Sequence, residues 1–122
     1  MPEVLIYVNQ AVRFDSALNP PPPIGIKPVS NIIPYTYKLY QNFPNPFNPQ
    51  TSIVFELPTQ SFVKIRVFDI LGREIATPVY EILQPGIYKT DFNGINLCSC
   101  VYIYSISING VLIDSRKMIL LK

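Results

Sequence analysis

Apolar side chains recur at every second position through much of the chain after residue 50, and that period decides what it can become. In Thr51–Leu57 (TSIVFEL), Ile53, Phe55 and Leu57 share one face. In Phe62–Asp69 (FVKIRVFD), Val63, Ile65 and Val67 point one way while Lys64 and Arg66 point the other. Successive strand side chains alternate between faces, so this pattern suits a half-buried antiparallel strand and offers no apolar stripe to a helix. Val101–Ile108 (VYIYSISI) is the strongest case, with Tyr102, Tyr104, Ile106 and Ile108 on one face. No helical periodicity of about ten residues or more occurs anywhere.

Turn chemistry separates these runs. Ile70-Leu71-Gly72-Arg73 reads as a turn in which Gly72 supplies a positive φ. Glu74–Tyr80 is a short strand, and Pro78 within it marks an edge position. Pro85-Gly86 predicts a type II turn before the strand Ile87–Phe92, and Asn93-Gly94 a second turn. Asn109-Gly110 predicts a type I′ hairpin into the last strand, Val111–Leu121. About seven short strands, separated by turn signals every 8–12 residues or so, describe an all-β antiparallel sandwich.

The upstream third reads differently. Seven of the 13 prolines fall in residues 1–34, and the four at 20–23 favour an extended polyproline II spacer. Val4–Val8 has strand character, but nothing nearby is an obvious partner for it. The expected division is therefore an upstream remnant with a proline-rich linker at 1–34 and one domain at 35–122. The opening residues MPEVLIYVNQAVRF lack the basic region of a secretory signal peptide, and no run is long and apolar enough for a transmembrane helix.

Composition removes several classes of function. There is no histidine, so the commonest general base and metal ligand is missing. The net charge of +2 without a basic stripe gives no case for nucleic acid. Cys98 and Cys100, in LCSCVY, would share a strand face with Cα atoms roughly 6.5 Å apart, near the upper limit for a disulfide. They read as small buried or half-buried apolar residues, with no other Cys or His to complete a zinc site. Ser99 lacks an activating histidine, and Asp69, Glu74 and Asp91 are scattered over strands and turns. No enzymatic site, cofactor or metal is expected.

The segment QNFPNPFNP at Gln41–Pro49 stands directly before the first clear strand. Pro44, Pro46 and Pro49 have no amide hydrogen and cannot serve a central ladder. Asn45 and Asn48 precede prolines, which favours extended or turn geometry. The segment reads as a rigid lead-in loop whose Phe43 and Phe47 plug one end of the core. A calcium site built from asparagine carbonyls and Asp69 has too few carboxylates to support it.

YKLYQNFPNPFNPQTSIVFELP, VKIRVFDILGREI, PGIYKTDFNG, LCSCVYIYSI and KMILLK occur in this order. Together they resemble the type A C-terminal sorting domain of type IX secretion cargo, itself similar to the immunoglobulin-like domain of flagellar hook-capping proteins. The resemblance covers about residues 37–122. It implies an immunoglobulin-like sandwich that is a non-catalytic targeting module. It also implies partners: the type IX outer-membrane translocon, its associated sortase-like peptidase and an upstream cargo domain. The parent protein would reach the cell surface or medium through the periplasm, the module often being removed there. By position, Pro44-Asn45-Pro46 matches the family's first motif and Leu71-Gly72-Arg73-Glu74 its central turn. Lys117-Met118-Ile119-Leu120-Leu121-Lys122 matches its terminal signal. The family usually has glycine where Cys100 stands, so a positive φ there would strain cysteine. The missing export signal and scant upstream cargo lead us to read Met1 either as an internal start or as the edge of a piece cut from a longer chain.

Met118–Leu121 is a continuous apolar run, so either both faces are covered or one is kept for a partner. The expectation is that Met118 and Leu120 anchor the strand, while Ile119, Leu121 and the lysines are recognised, with strand addition at the edge as the natural mode. Two other functions compete. One is a carbohydrate- or surface-binding sandwich using Tyr80, Tyr88 and Tyr102 as stacking platforms. The other is a structural immunoglobulin-like domain of a hook-capping protein.

Overall fold

A computed structural model of the protein describes residues 33–122 in full and, upstream of them, the strand backbones at 4–7, 11–14 and 26–30. All regular structure among the described residues is β. The strands are β1 (Val4–Tyr7), β2 (Ala11–Phe14), β3 (Ile26–Ser30), β4 (Lys38–Leu39), β5 (Gln50–Leu57), β6 (Ser61–Phe68), β7 (Glu74–Leu83), β8 (Gly86–Asn93), β9 (Cys100–Ile108) and β10 (Val111–Leu120). One sheet has the order β3-β8-β5-β4 and the other β10-β9-β6-β7, every pairing antiparallel. Seven strands, β4 to β10, therefore lie downstream of residue 35, as the alternation requires.

The alternation becomes the core. Ile53, Phe55 and Leu57 of β5 face Val63, Ile65 and Val67 of β6 across the sandwich, all fully buried. Burying each such side chain is worth roughly 1.5–3 kcal/mol, far more than any surface contact of these strands. Cross-strand partners Phe55 and Tyr88 stack with ring centroids 5.6 Å apart. Strand β9 lies between β10 and β6, so it is covered on both edges. Even its outward Ser105 and Ser107 are buried there.

Most turn expectations are met. Gly72 has φ +84°, and Asn109-Gly110 has φ of 52° and 86°, the two positive values a type I′ turn needs. Strand β7 is an edge, so Pro78 costs no ladder bond in a sheet centre. The Pro85-Gly86 expectation is corrected. Gly86 has φ +152°, well away from the roughly +80° of a type II turn. The chain at that point crosses from one sheet to the other instead of folding back as a hairpin. Upstream, β1 pairs with β2, a neighbour that sequence patterning did not single out. Part of the proline-rich stretch, β3, pairs with β8 and extends that sheet. The four prolines at 20–23 lie outside the described residues.

The cysteines also differ from expectation. Strand β9 begins at Cys100, so Cys98 lies in the preceding loop and is exposed, not buried. Cys100 is half-buried and both thiols are free. Asn109 is the one non-glycine residue with positive φ among the described residues, so cysteine at position 100 carries no backbone strain.

Candidate functional site

Antiparallel pairing decides which chain ends meet. Leu120 lies opposite Cys100, Phe68 opposite Ile103, and Gln50 opposite Asn93. The start of β5, the end of β6 and the end of β10 therefore share one pole of the sandwich. Gln41–Pro49, the Leu71–Glu74 turn and Lys117–Lys122 all gather there.

Two of these three segments are in direct contact. Strand β10 is the edge of its sheet, and an edge leaves unpaired amides and carbonyls along one side. Along Lys117–Leu121 the loop satisfies them. Gln41 Nε2 donates to Lys117 O at 2.6 Å. The Ile119 amide donates to Asn45 Oδ1 at 2.9 Å. The Phe47 amide donates to Ile119 O at 2.8 Å, and the Leu121 amide to Phe47 O at 3.0 Å. This answers what a proline-rich segment does beside a strand. Three prolines prevent a regular ladder, so two side-chain amides and the backbone N–H and C=O of Phe47 take its place. The peptides preceding Pro44, Pro46 and Pro49 are cis.

The loop is rooted in the core from below. The Tyr104 hydroxyl of β9 donates to Tyr40 O and accepts from the Asn42 amide, both at 2.7 Å. Burial pushes that phenol up to about 12. Asn42, itself buried, donates through Nδ2 to Thr51 Oγ1 at 2.9 Å and Pro44 O at 3.0 Å. Phe47 is the plug: it is buried against Phe92, rings edge to face at 6.2 Å. Phe43 is not, being 80% exposed, because its backbone bridges to Ser52 and turns the ring outward. Pro44, Asn45 and Pro46 are exposed at the surface of the loop.

In β10 the apolar run resolves into two faces. Met118 and Leu120 are fully buried, whereas Ile119 is 36% and Leu121 54% exposed. The outward side chains are thus left open even though the strand's backbone edge is covered. Strand addition along Lys117–Leu121, the recognition mode expected from the sequence, would first have to displace the loop. Lys117 is exposed. Lys122 is held, its amide donating to Ser99 Oγ at 2.9 Å and its Nζ to Ile95 O at 2.7 Å. Gly94 sits beneath this junction for lack of a side chain. A Cβ there would lie 3.1 Å from Leu120 Cδ2 and 3.3 Å from Phe47 Cε2. The pairing of Gly94 with Leu120 and the acceptor role of Ser99 were not legible in the sequence, because both depend on contacts made only after folding.

The central turn stands apart from that junction. Asp69 organises it, accepting from the Arg73 and Leu71 amides and from Arg73 Nε. The Arg73 backbone bond leads in holding the Asp69 carboxyl below its usual range. Leu71, Gly72, Arg73 and Glu74 are all exposed. Between this turn and the Asn96–Cys100 segment lies an open cleft of about 560 Å³, with Ile70, Ile75 and Tyr102 among its walls. The structure therefore brings the first and last motifs into one hydrogen-bonded unit, while the central turn faces the Asn96–Cys100 segment across the cleft and makes no part of that unit.

The tyrosine platform is not assembled. Tyr88 and Tyr102 are buried, and only Tyr80 is exposed, at 61%. No group of His, Cys, Asp or Glu among the described residues could hold a metal ion. No helix there is long and apolar enough to cross a membrane. A family model described as secretion system C-terminal sorting domain matches residues 41–121. That span opens on the proline-rich loop and closes on the strand it clasps. None of the curated proteins and none of the solved structures compared matches the chain.

Proposed function

The chain belongs to the family of secretion system C-terminal sorting domains of the type IX pathway, and from that premise we propose that its address is the outward face of Lys117–Lys122, presented by a folded domain at 35–122. The machinery of the pathway is its partner, and the role is sorting. In this reading the type IX outer-membrane translocon recognises the pole formed by Pro44-Asn45-Pro46, Leu71-Gly72-Arg73-Glu74 and Lys117–Lys122. A sortase-like peptidase then severs the domain from its cargo on the segment before Tyr37, where Tyr35 and Thr36 are exposed. The cargo lies on the upstream side and ends at the cell surface or in the medium.

The observation that carries this is the split within one short strand. Met118 and Leu120 supply the anchoring, and the edge bonds run through the backbone, so the side chains of Lys117, Ile119 and Leu121 are left facing outward. An exposed apolar pair on a well-anchored strand is what a partner pocket can read. The test uses a reporter with an export signal, fused ahead of the full 122-residue chain, in a host with type IX secretion. Deleting Lys117–Lys122 is expected to retain the reporter in the cell, and the double change Ile119→Ser, Leu121→Ser to do so without lowering the melting temperature. Normal export of both variants would overturn the reading.

A further inference from the structure

The bonded residues of the Pro-rich loop and the last strand are more than 70 positions apart, yet they share a continuous set of hydrogen bonds. An edge strand of a sandwich, left bare, can fray, slip in register or pair with another chain. Along Lys117–Leu121 those alternatives are closed by Gln41, Asn45 and Phe47 together. Phe47 is buried and its role is inseparable from core packing. Gln41 and Asn45 are exposed, so their side chains contribute hydrogen bonds and no core volume. Their chemistry is also opposite. Position 41 must donate, to Lys117 O, and position 45 must accept, from the Ile119 amide.

We propose that Asn45 is a positioning residue for sorting: with Gln41 it latches the last strand so that Lys117, Ile119 and Leu121 are presented in one register. This rests on the sorting reading above. The address is then composite. The terminal hexapeptide carries the side chains that are read, and the first motif, far away in sequence, sets their geometry. It follows that the machinery reads a latched strand through its side chains and does not add a strand to its edge.

The opposite hydrogen-bond polarity of the two positions supplies the test. In the same full-chain reporter fusion, Asn45→Ala removes the acceptor, whereas Asn45→Asp keeps one. Gln41→Glu removes the donor and places an oxygen against a carbonyl. Amide exchange at Ile119, followed by NMR, reports the latch itself, and a melting curve reports the core. Asn45→Ala and Gln41→Glu are expected to cut export and, for Asn45→Ala, to speed Ile119 exchange about five- to tenfold, the loss of roughly one hydrogen bond. Asn45→Asp is expected to restore both export and protection, with melting temperatures close to that of the parent throughout. The inference is overturned if Asn45→Ala exports as well as the parent while deletion of Lys117–Lys122 blocks export, an outcome that leaves the sorting reading standing. It is equally overturned if Asn45→Ala exports better, since a free edge would then be what the machinery uses. Export that survives the deletion itself would overturn both.

Discussion

Single residues at this pole do work that their types only partly announce. Tyr104 sits on the apolar face of β9, and its ring is core, but its hydroxyl holds the base of a loop 62 and 64 positions upstream. Tyr104→Phe keeps the ring and leaves Tyr40 O and the Asn42 amide without a partner in a buried site. It is expected to cost about 1–3 kcal/mol, read as a lower urea midpoint with unchanged slope. Asn42 shows the same economy of use: one amide group joins Gln41, Pro44 and Thr51. Asparagine before a run of prolines signals a turn from sequence alone. That this one is buried and satisfied on both sides of its amide does not follow from local preference.

At the scale of elements, β10 is the informative strand. Four consecutive apolar residues leave its facing ambiguous, and pairing with β9 resolves it, Met118 lying opposite Tyr102 and Leu120 opposite Cys100. Met118→Ala and Leu120→Ala each empty a fully buried position and are expected to cost about 2–5 kcal/mol. Ile119→Ala and Leu121→Ala, on the exposed face, are expected to stay within about 0.5 kcal/mol of the parent. Chemical denaturation of the four variants separates anchor from address. Equal losses at all four would mean that the outward pair is covered in solution. The loop Gln41–Pro49 belongs to the same scale. It behaves as a substitute edge strand, made from two side-chain amides and the backbone of Phe47 because its prolines forbid a regular ladder.

At the scale of the sandwich as a whole, Arg66, Glu81 and Ser105 carry buried polar atoms without a hydrogen-bond partner among the described residues, and Glu81 is the one that titrates as an acid. Glu81, on edge strand β7, is half-buried next to the core, and among the described residues neither carboxylate oxygen has a hydrogen-bond partner. Desolvation pushes its carboxyl well above the usual range. A carboxyl whose pKa is raised on folding stabilises the native state below its unfolded value, about 4.3, and that contribution is lost as pH rises. Glu81→Gln removes the charge and keeps the shape. Its stability is expected to match the parent near pH 4 and to exceed it by about 1 kcal/mol at pH 7, discounted for partial exposure to solvent. Thermal melts at the two pH values check the sign: a parent more stable than the variant at pH 7 would mean the carboxylate has found a partner.

The period-two alternation of Thr51–Leu57, Phe62–Asp69 and Val101–Ile108 determined by itself that this chain is an all-β sandwich. Gly72 and Asn109-Gly110 determined where two of its turns fall. These are local consequences: which face a side chain takes, and which φ a residue tolerates, depend on a few neighbours along the chain. Motif order placed the chain in its family for a similar reason, since the blocks are linear. Only the tertiary structure decided that Phe43 points outward while Phe47 is the plug. It alone buried Tyr88 and Tyr102 and brought the first motif onto the edge of the last strand. Whether an edge amide is satisfied, and by whom, depends on how two sheets close upon each other, and no neighbour in sequence carries that information.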